Sequence, residues 1–177
     1  FYSYLMKWNK NNNKIKLGSV CVAKQWKTIS KNDLTEEGYL VYGGNGIIGR
    51  YSEYNHEYST IAISCRGEYC GNVHYTIPKS FVTGNSMCLD ELDEKEYISK
   101  FLFYLLRYMN LSQIISGSAQ PQIIKQDVEN LKINKVDIAT QELVVLKMDK
   151  ISNNINVINS KIEDSQYLLK SIINYIF

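Results

Sequence analysis

The C-terminal forty residues carry an apolar stripe with a seven-residue period, and this stripe restricts the possible folds more than any other feature. Nine of its ten seam positions are apolar, with Ser165 the exception, and no proline or glycine interrupts the run. A helix of about 33 residues is ~50 Å long, more than one compact domain covers. We therefore expect a coiled-coil helix that needs a second long helix, because packing on its own domain would bury only the nearer half. The apolar seam positions are Val144, Met148, Ile151, Ile155, Ile158, Ile162, Leu169, Ile172 and Ile176.

The preceding residues are typical of a β domain. Short runs rich in β-branched and aromatic residues, each bounded by Gly, Asn or Ser, lie at 18–23, 38–42, 59–64, 71–77 and 80–83. They are closely spaced and no helical pattern separates them. This spacing predicts a compact, mostly antiparallel β region.

Three further elements are expected after the strands. Residues 93–111 begin with acidic residues and continue with apolar residues at helical spacing, which predicts a helix with Asp93 as its N-cap. A short helix at 125–131 and an extended piece at 132–136 should follow, so the fold class is α+β. The expected buried face of the first helix consists of Phe101, Leu102, Leu105 and Met109.

Composition excludes several classes of protein. The chain is 45% hydrophobic and 12% aromatic, which is enough to bury a core and excludes disorder. Its longest apolar run, 101–106, is far shorter than the ~20 residues that span a bilayer, so we expect no membrane association. The first residues do not resemble a signal peptide and could be the cut end of a longer chain.

The cysteines argue against a structural metal. There are four of them, with no Cys-x-x-Cys pair and only two histidines to complete a zinc site. We expect buried thiols in a reducing cytoplasm and no metal.

Charge is segregated although the net charge is only +2. Residues 1–32 contain seven lysines and no acid, whereas residues 33–98 contain eleven acidic and four basic residues. Either an anionic partner or a solvated lysine-rich arm explains this distribution.

Residues 44–49 match the G-x-G-x-x-G pattern of dinucleotide-binding proteins, but the helix that such a site requires is not predicted after them. A tight connection between strands, with Asn45 and Arg50 at its tip, explains the glycines better. No nucleophile motif or Walker A motif occurs, and residues 93–95 are interpreted as a helix cap rather than a nuclease site. The chain is expected to be a binding protein, not an enzyme.

Four segments and the heptad helix together resemble one family. The segments are 15–20, 39–49 (Tyr-Leu-Val-Tyr-Gly-Gly-Asn-Gly-Ile-Ile-Gly), 64–73 and 117–123 (Gly-Ser-Ala-Gln-Pro-Gln-Ile). In this order they resemble the DNA specificity (S) subunit of type I restriction-modification systems. The resemblance implies a target recognition domain at 1–137 and a spacer helix at 138–177. It also implies a cytoplasmic protein with no cofactor.

The resemblance further implies partners. A full subunit of that family has two such units with their long helices packed antiparallel, and each domain reads half of a bipartite site. The implied partners are double-stranded DNA, DNA adenine methyltransferase subunits and a restriction-translocase subunit. With one unit, this chain is either half of a longer subunit or a half-length version that dimerises through its stripe. The family's proline-rich junction is missing, and residues 133–142 keep only Gln141 and Glu142 of it.

Candidate DNA contacts lie in or beside the glycine-rich connections. Arg, Asn and Gln pair with guanine and adenine edges, while Lys and Tyr hold phosphates. The candidates are Lys24, Lys27, Asn45, Arg50, Arg66, Asn85 and Gln120. Two other functions stay open: a recognition domain cut from a single-chain restriction-methyltransferase enzyme, and a coiled-coil dimerisation protein without a nucleic-acid role.

Overall fold

A computed structural model describes residues 13–176, apart from the side chain of Ile176. Lys7 and Lys10 of the lysine-rich start, and the Ile176 seam side chain, lie outside the described residues. The β-strands are β1 Lys14–Lys16, β2 Val22–Gln25, β3 Tyr39–Gly43, β4 Gly46–Tyr51, β5 Ile61–Ser64, β6 Val73–Tyr75, β7 Phe81–Val82, β8 Ser86–Asp90 and β9 Lys132–Asn134. The α-helices are α1 Ser99–Tyr108, α2 Lys125–Asn130 and α3 Ile138–Ile176, and short 3-10 turns occupy Leu17–Ser19, Lys31–Asp33 and Leu111–Ile114.

The strands form three sheets. Their orders are β2-β8-β5-β6, β4-β3-β7 and β1-β9. Every strand pair in this part of the chain is antiparallel except β3 with β7. The predicted α+β fold, mostly antiparallel with a long terminal helix, is confirmed.

The main core lies between the four-stranded sheet and the helices. It contains residues from β2, β5, β8, α1 and α2 together with Val144 and Met148 of α3. A second, smaller core of Tyr42, Ala62, Val82 and Cys88 joins the four-stranded sheet to the three-stranded one. Burial of apolar surface in these two clusters holds the sheets and helices together.

The helix expected at 93–111 is shorter than predicted. Asp93 caps a separate turn, because its side chain accepts a hydrogen bond from the Lys95 N–H (3.0 Å) and its carbonyl accepts one from the Tyr97 N–H (2.9 Å). The helix α1 then begins at Ser99. Its residues 101–106 are all buried, more than one face, because α1 packs against β6 on one side and α3 on another. Met109 lies just after the helix and is half-buried.

The strand predictions differ in detail. The expected strand at 18–23 is the Leu17–Ser19 turn followed by β2, and β8 was not predicted. The β8 sequence, Ser-Met-Cys-Leu-Asp, lacks β-branched residues, so its local pattern does not indicate a strand. Pairing with β2 and β5 on its two sides makes β8 a central strand. The short helix and extended piece predicted at 125–136 are α2 and β9.

The long helix begins where Asp137 caps it. The Asp137 side chain accepts a hydrogen bond from the Thr140 N–H (2.9 Å), and its carbonyl accepts one from the Gln141 N–H (3.0 Å). Hydrogen bonds from Thr140 lower the pKa of Asp137. The division of the chain at 137/138 stays a prediction, since the first turns of α3 belong to the core. Within the described residues, no helix is long and apolar enough to cross a membrane.

The seam of α3 divides into a buried and an exposed part. Val144 and Met148 are buried against the domain, whereas Ile151 is 48% exposed and Ile158 is 56% exposed. The exposed apolar seam continues along the helix at Ile155, Ile162, Leu169 and Ile172. As expected, the domain of a single chain leaves most of the stripe exposed.

Asp149 links α3 to α1. Its carboxylate lies 2.7 Å from Lys100 Nζ and accepts a hydrogen bond from the Tyr104 hydroxyl at 2.6 Å. Burial opposes ionisation of this carboxyl, but the hydrogen bonds from Lys100 and Tyr104 outweigh it and lower the pKa of Asp149. Ionised Asp149 therefore stabilises the contact between α3 and α1.

We expect the stabilisation by Asp149 to disappear in acid. A carboxyl whose pKa is lower in the folded chain stabilises it fully above the unfolded pKa of ~3.9, and this contribution is lost as pH falls through the folded pKa. Urea unfolding should show Asp149→Asn less stable than the parent at neutral pH, with a difference that shrinks below about pH 4. Asp164→Asn, an exposed change on the same helix, should show no such difference. A difference unchanged by acid would contradict the assignment.

Candidate nucleic-acid interface

Four connections meet at one end of the strands of the two larger sheets. We name them the loop cluster: the turn 44–45, the loop 65–72, the turn 83–85 and the segment 116–122. Backbone hydrogen bonds join them, because the Cys65 N–H donates to the Asn85 carbonyl (3.0 Å) and the Gly67 N–H to the Pro121 carbonyl (3.0 Å). The Ser64 hydroxyl donates to the Gly44 carbonyl. Connections far apart in the chain thus form one surface.

Two glycines set the shape of this surface. Gly46 follows the turn 44–45 with φ +77°, so a left-handed glycine closes the β3–β4 hairpin. Gly117 has φ +82°, and a side chain there would collide with the Gln120 carbonyl. The segment that presents Gln120 therefore depends on a glycine at 117.

The loop cluster brings four of the candidate side chains onto neighbouring connections. Asn45, Arg66, Asn85 and Gln120 are all exposed there. A Cβ at Gly44 would lie 3.8 Å from the Arg66 carbonyl oxygen and 4.0 Å from that of Asn85, so the turn bearing Asn45 adjoins both. Arg66 also forms an isolated antiparallel bridge with Gln122.

Lys24 and Lys27 lie beside the loop cluster. Lys24 is on β2, with its Nζ 4.0 Å from the centre of the Trp26 ring. Lys27 is in the segment after β2, where a Cβ at Gly84 would lie 2.6 Å from the Trp26 carbonyl oxygen. Both lysines are exposed. In residues 13–176 neither they nor Arg66 form an ion pair, so their charges are available to an anion.

Arg50 is not at the tip of the hairpin, contrary to expectation. It pairs with Leu40 on β3, and its guanidinium donates to the Gly38 carbonyl at 2.7 Å. The tip holds Asn45 alone of the two, because β4 runs from Gly46 away from the turn and reaches Arg50 near its far end. Arg50 therefore lies outside the loop cluster.

Two residues at the cluster were not predicted. Gln25, at the end of β2, donates from Nε2 to the Gly84 carbonyl (2.9 Å) and to Cys65 Sγ (3.1 Å), which ties β2 to two of the connections. The one sequence feature that could have identified Gln25 is its position between the candidate contacts Lys24 and Lys27. His74 on β6 supports the hairpin, since a Cβ at Gly46 would lie 3.4 Å from its ring. Burial and the charge of Arg107 lower the pKa of His74, so it is neutral at pH 7.

The chemistry of the loop cluster suits binding. Its amide groups donate and accept hydrogen bonds and its guanidinium group donates them, in fixed directions. Its buried cysteine is unreactive, because burial raises the pKa of the Cys65 thiol. The surface can therefore recognise hydrogen-bonding groups and phosphates, and it offers no activated nucleophile among these residues.

One group of potential metal ligands lies elsewhere. In the described part of the chain, the side chains of His56, Cys88 and Asp90 place one ligand atom each within 4.8 Å of the others. They lie between the four-stranded and three-stranded sheets. Cys21, Cys65 and Cys88 are buried free thiols, as expected, and Cys70 is half-buried.

Comparisons with known proteins agree on one family. A family profile described as "Type I restriction modification DNA specificity domain" matches residues 9–165. The chain is 28% identical over 147 residues to the type I restriction enzyme EcoprrI specificity subunit of Escherichia coli, covering 80% of this chain and 36% of that protein. The chain thus spans little more than a third of that relative.

Solved structures share the fold. An S subunit of a type I restriction-modification system from M. genitalium has a TM-score of 0.74 at 23% identity, over 85% of this chain and 42% of that one. An HsdS subunit from Thermoanaerobacter tengcongensis has a TM-score of 0.60 at 20% identity, over 82% and 38%. With the family profile covering most of its length, this chain belongs to the type I restriction modification DNA specificity domain family.

Proposed function

We propose that this chain is a non-catalytic DNA recognition module whose loop cluster reads one half of a bipartite site. The observation that carries the proposal is the meeting of Asn45, Arg66, Asn85 and Gln120 on connections that hydrogen-bond to one another. These residues span 75 positions of sequence, yet they share one exposed edge. Membership of a DNA specificity domain family supports DNA as the ligand.

Each side chain has a role in this proposal. Arg66 pairs bidentately with a guanine edge, and Asn45, Asn85 and Gln120 pair with adenine edges. Lys24 and Lys27 hold phosphates and add no base preference. Arg50, on the far part of the hairpin, is proposed as a more distant phosphate contact.

The exposed stripe of α3 pairs with a second long helix, and that helix brings the recognition domain that reads the other half of the site. A helix of this length is ~58 Å long at about 1.5 Å per residue, so pairing two such helices holds two recognition domains a fixed distance apart. A fixed separation sets the spacing of two half-sites along DNA. The second helix comes from another copy of the chain or from a second unit of a longer protein.

Catalysis is assigned to partners. We propose that DNA adenine methyltransferase subunits bring the methyl donor and that a restriction-translocase subunit joins the same complex. One structural neighbour comes from work on complex assembly and conformational transition of the type I R-M system. It has a TM-score of 0.68 at 18% identity, over 90% of this chain and 43% of that one. That description supports partner subunits for a chain of this fold.

A binding titration tests the DNA proposal. A duplex selected from a random library against the parent chain would serve as the probe. Arg66→Ala should weaken binding to that duplex by ~1–3 kcal/mol and relax the choice of one base, because a bidentate contact is lost. Lys24→Ala should weaken all duplexes alike and reduce the salt slope by about one.

Lys170→Ala is the matched control for loss of charge. Lys170 is exposed on the distal half of α3, ~48 Å along the helix from its start. It should bind the selected duplex as the parent does. An Arg66→Ala variant that also binds like the parent would contradict the role of the loop cluster. Failure of the parent to bind any duplex at low salt would favour a coiled-coil protein without a nucleic-acid role.

A further inference from the structure

The small core between the two larger sheets contains three side chains of a metal-binding type. His56 and Cys88 are buried, and Asp90 is largely buried at the end of β8. The sequence does not indicate a site, because these residues are separated by up to 34 positions and no Cys-x-x-Cys pair occurs. The fold brings them together by pairing β8 with β2 and β5 and by placing residues 55 and 56 against β7.

The protonation of His56 follows from its neighbour Asn55. The Asn55 side chain donates from Nδ2 to the Val82 carbonyl (2.9 Å), and its Oδ1 accepts from the Val82 N–H (2.8 Å). These two bonds fix the orientation of the amide. Asn55 Oδ1 also lies 2.6 Å from His56 Nδ1, so Nδ1 must carry the proton that is donated to it.

The other ring nitrogen then faces a carboxylate. With the proton on Nδ1, a neutral His56 presents the Nε2 lone pair, and this atom lies 3.2 Å from Asp90 Oδ1. Two acceptors in a buried place repel each other unless a positive species lies between them. That species is either a proton, carried by the imidazole or by the carboxyl, or a metal ion. Cys88 Sγ lies within 4.8 Å of a ring nitrogen of His56 and of a carboxylate oxygen of Asp90, which adds a third ligand that a proton does not need.

The surroundings match those of a metal site. Histidine ligands usually donate their second ring N–H to a carbonyl or carboxylate, as His56 does to Asn55. Asp90 is also oriented from outside, since its Oδ2 accepts a hydrogen bond from Trp26 Nε1 at 3.0 Å. A set of imidazole, thiolate and carboxylate suits zinc, whereas Mg²⁺ and Ca²⁺ require oxygen ligands.

We propose that His56 Nε2, Cys88 Sγ and Asp90 Oδ1 bind one divalent ion, zinc or a metal of similar preference, that cross-links the two sheets. Binding replaces the S–H bond of Cys88 by a metal–sulfur bond, and the thiol proton passes to solvent. Water takes the fourth position of the tetrahedron. Through Trp26, the ion also fixes the end of β2 that bears Lys24.

Cobalt(II) titration of the metal-free parent chain tests the proposal. We expect one ion per chain, with a sulfur-to-cobalt charge-transfer band and tetrahedral ligand-field bands. Cys88→Ser should lose the charge-transfer band, whereas Cys70→Ser, which removes the half-buried thiol outside the site, should keep it. Asn55→Ala leaves all three ligands in place and should lower the affinity about 10- to 100-fold, because the supporting hydrogen bond is lost.

Two measurements on the parent chain avoid the risk that a variant fails to fold. Zinc should raise its Tm, and the nitrogen NMR signal of His56 Nε2 should shift on addition of zinc. An absence of cobalt bands, or a His56 Nε2 signal that does not move on addition of zinc, would overturn the proposal. A shared proton would then link His56 and Asp90.

Discussion

Replacing Ile158 with aspartate should turn a dimer of this chain into monomers. Ile158 is 56% exposed in the single chain and occupies a d position in the middle of the exposed stripe. Burying such a side chain contributes ~1.5–3 kcal/mol, and a two-fold interface contains it twice. Losing both contributions should raise Kd roughly a hundred- to ten-thousand-fold, before the burden of burying two carboxylates is added. Sedimentation equilibrium measures this change directly.

The control is Asn156→Asp, which introduces the same charge two residues away and off the seam. It should leave the association constant nearly unchanged. Both variants should retain the circular dichroism of the β domain, because the domain core contains only Val144 and Met148 of the seam. An unaltered oligomer for Ile158→Asp would show that the seam is wrongly assigned. A parent chain that is monomeric at all concentrations would contradict homodimerisation and favour a second unit in a longer protein.

Replacing Gln141 with leucine should strongly destabilise the fold. Gln141 is fully buried, and its side chain serves three backbone groups at 2.8 Å each: it accepts from the Ile98 N–H and donates to the carbonyls of Glu96 and Val136. Leucine has a similar size but leaves all three groups without a partner. An unsatisfied buried group costs ~1–3 kcal/mol, so losing the partners of three such groups should lower the free energy of unfolding by at least ~3 kcal/mol.

Urea denaturation followed by circular dichroism measures this loss. The neighbouring change Glu142→Leu is the matched control, since Glu142 is exposed and should alter stability by less than about 0.5 kcal/mol. A loss below about 1 kcal/mol for Gln141→Leu would mean that water replaces the lost partners. Gln141 is one of the two residues that resemble the family's junction, and its hydrogen bonds join α3 to the residues just before α1.

The fold was predictable where the pattern is local and repeated. The α3 helix depends on a period that persists for more than four heptads, and β3 and β5 depend on β-branched runs between turn residues. Prediction failed where a neighbour decides the outcome. The Ser-Met-Cys-Leu-Asp run of β8 is a central strand because β2 and β5 supply hydrogen bonds on both sides. Asp93 has the features of a helix cap, yet the Lys95 N–H that it binds belongs to a separate turn before α1.

The candidate site divides in the same way. Residue type and glycine context indicate polar loops, and these properties single out Asn45, Arg66 and Asn85. The separation of Arg50 from the hairpin tip depends on the course of β4, and the part played by Gln25 depends on its bonds to Gly84 and Cys65. The trio of His56, Cys88 and Asp90 has no local pattern at all.

Amino-acid pattern alone was sufficient for the class of fold, the long helix and its unpartnered stripe, because each follows from side-chain periodicity within a continuous segment. The tertiary structure decided which side chains meet. Strand pairing brings Cys88 beside Ala62, hydrogen bonds join the connections that carry Arg66 and Asn85, and packing on α1 buries the first seam positions of α3 while leaving Ile158 exposed. Contacts between residues distant in sequence depend on how every element packs, and no periodicity in a single segment encodes them.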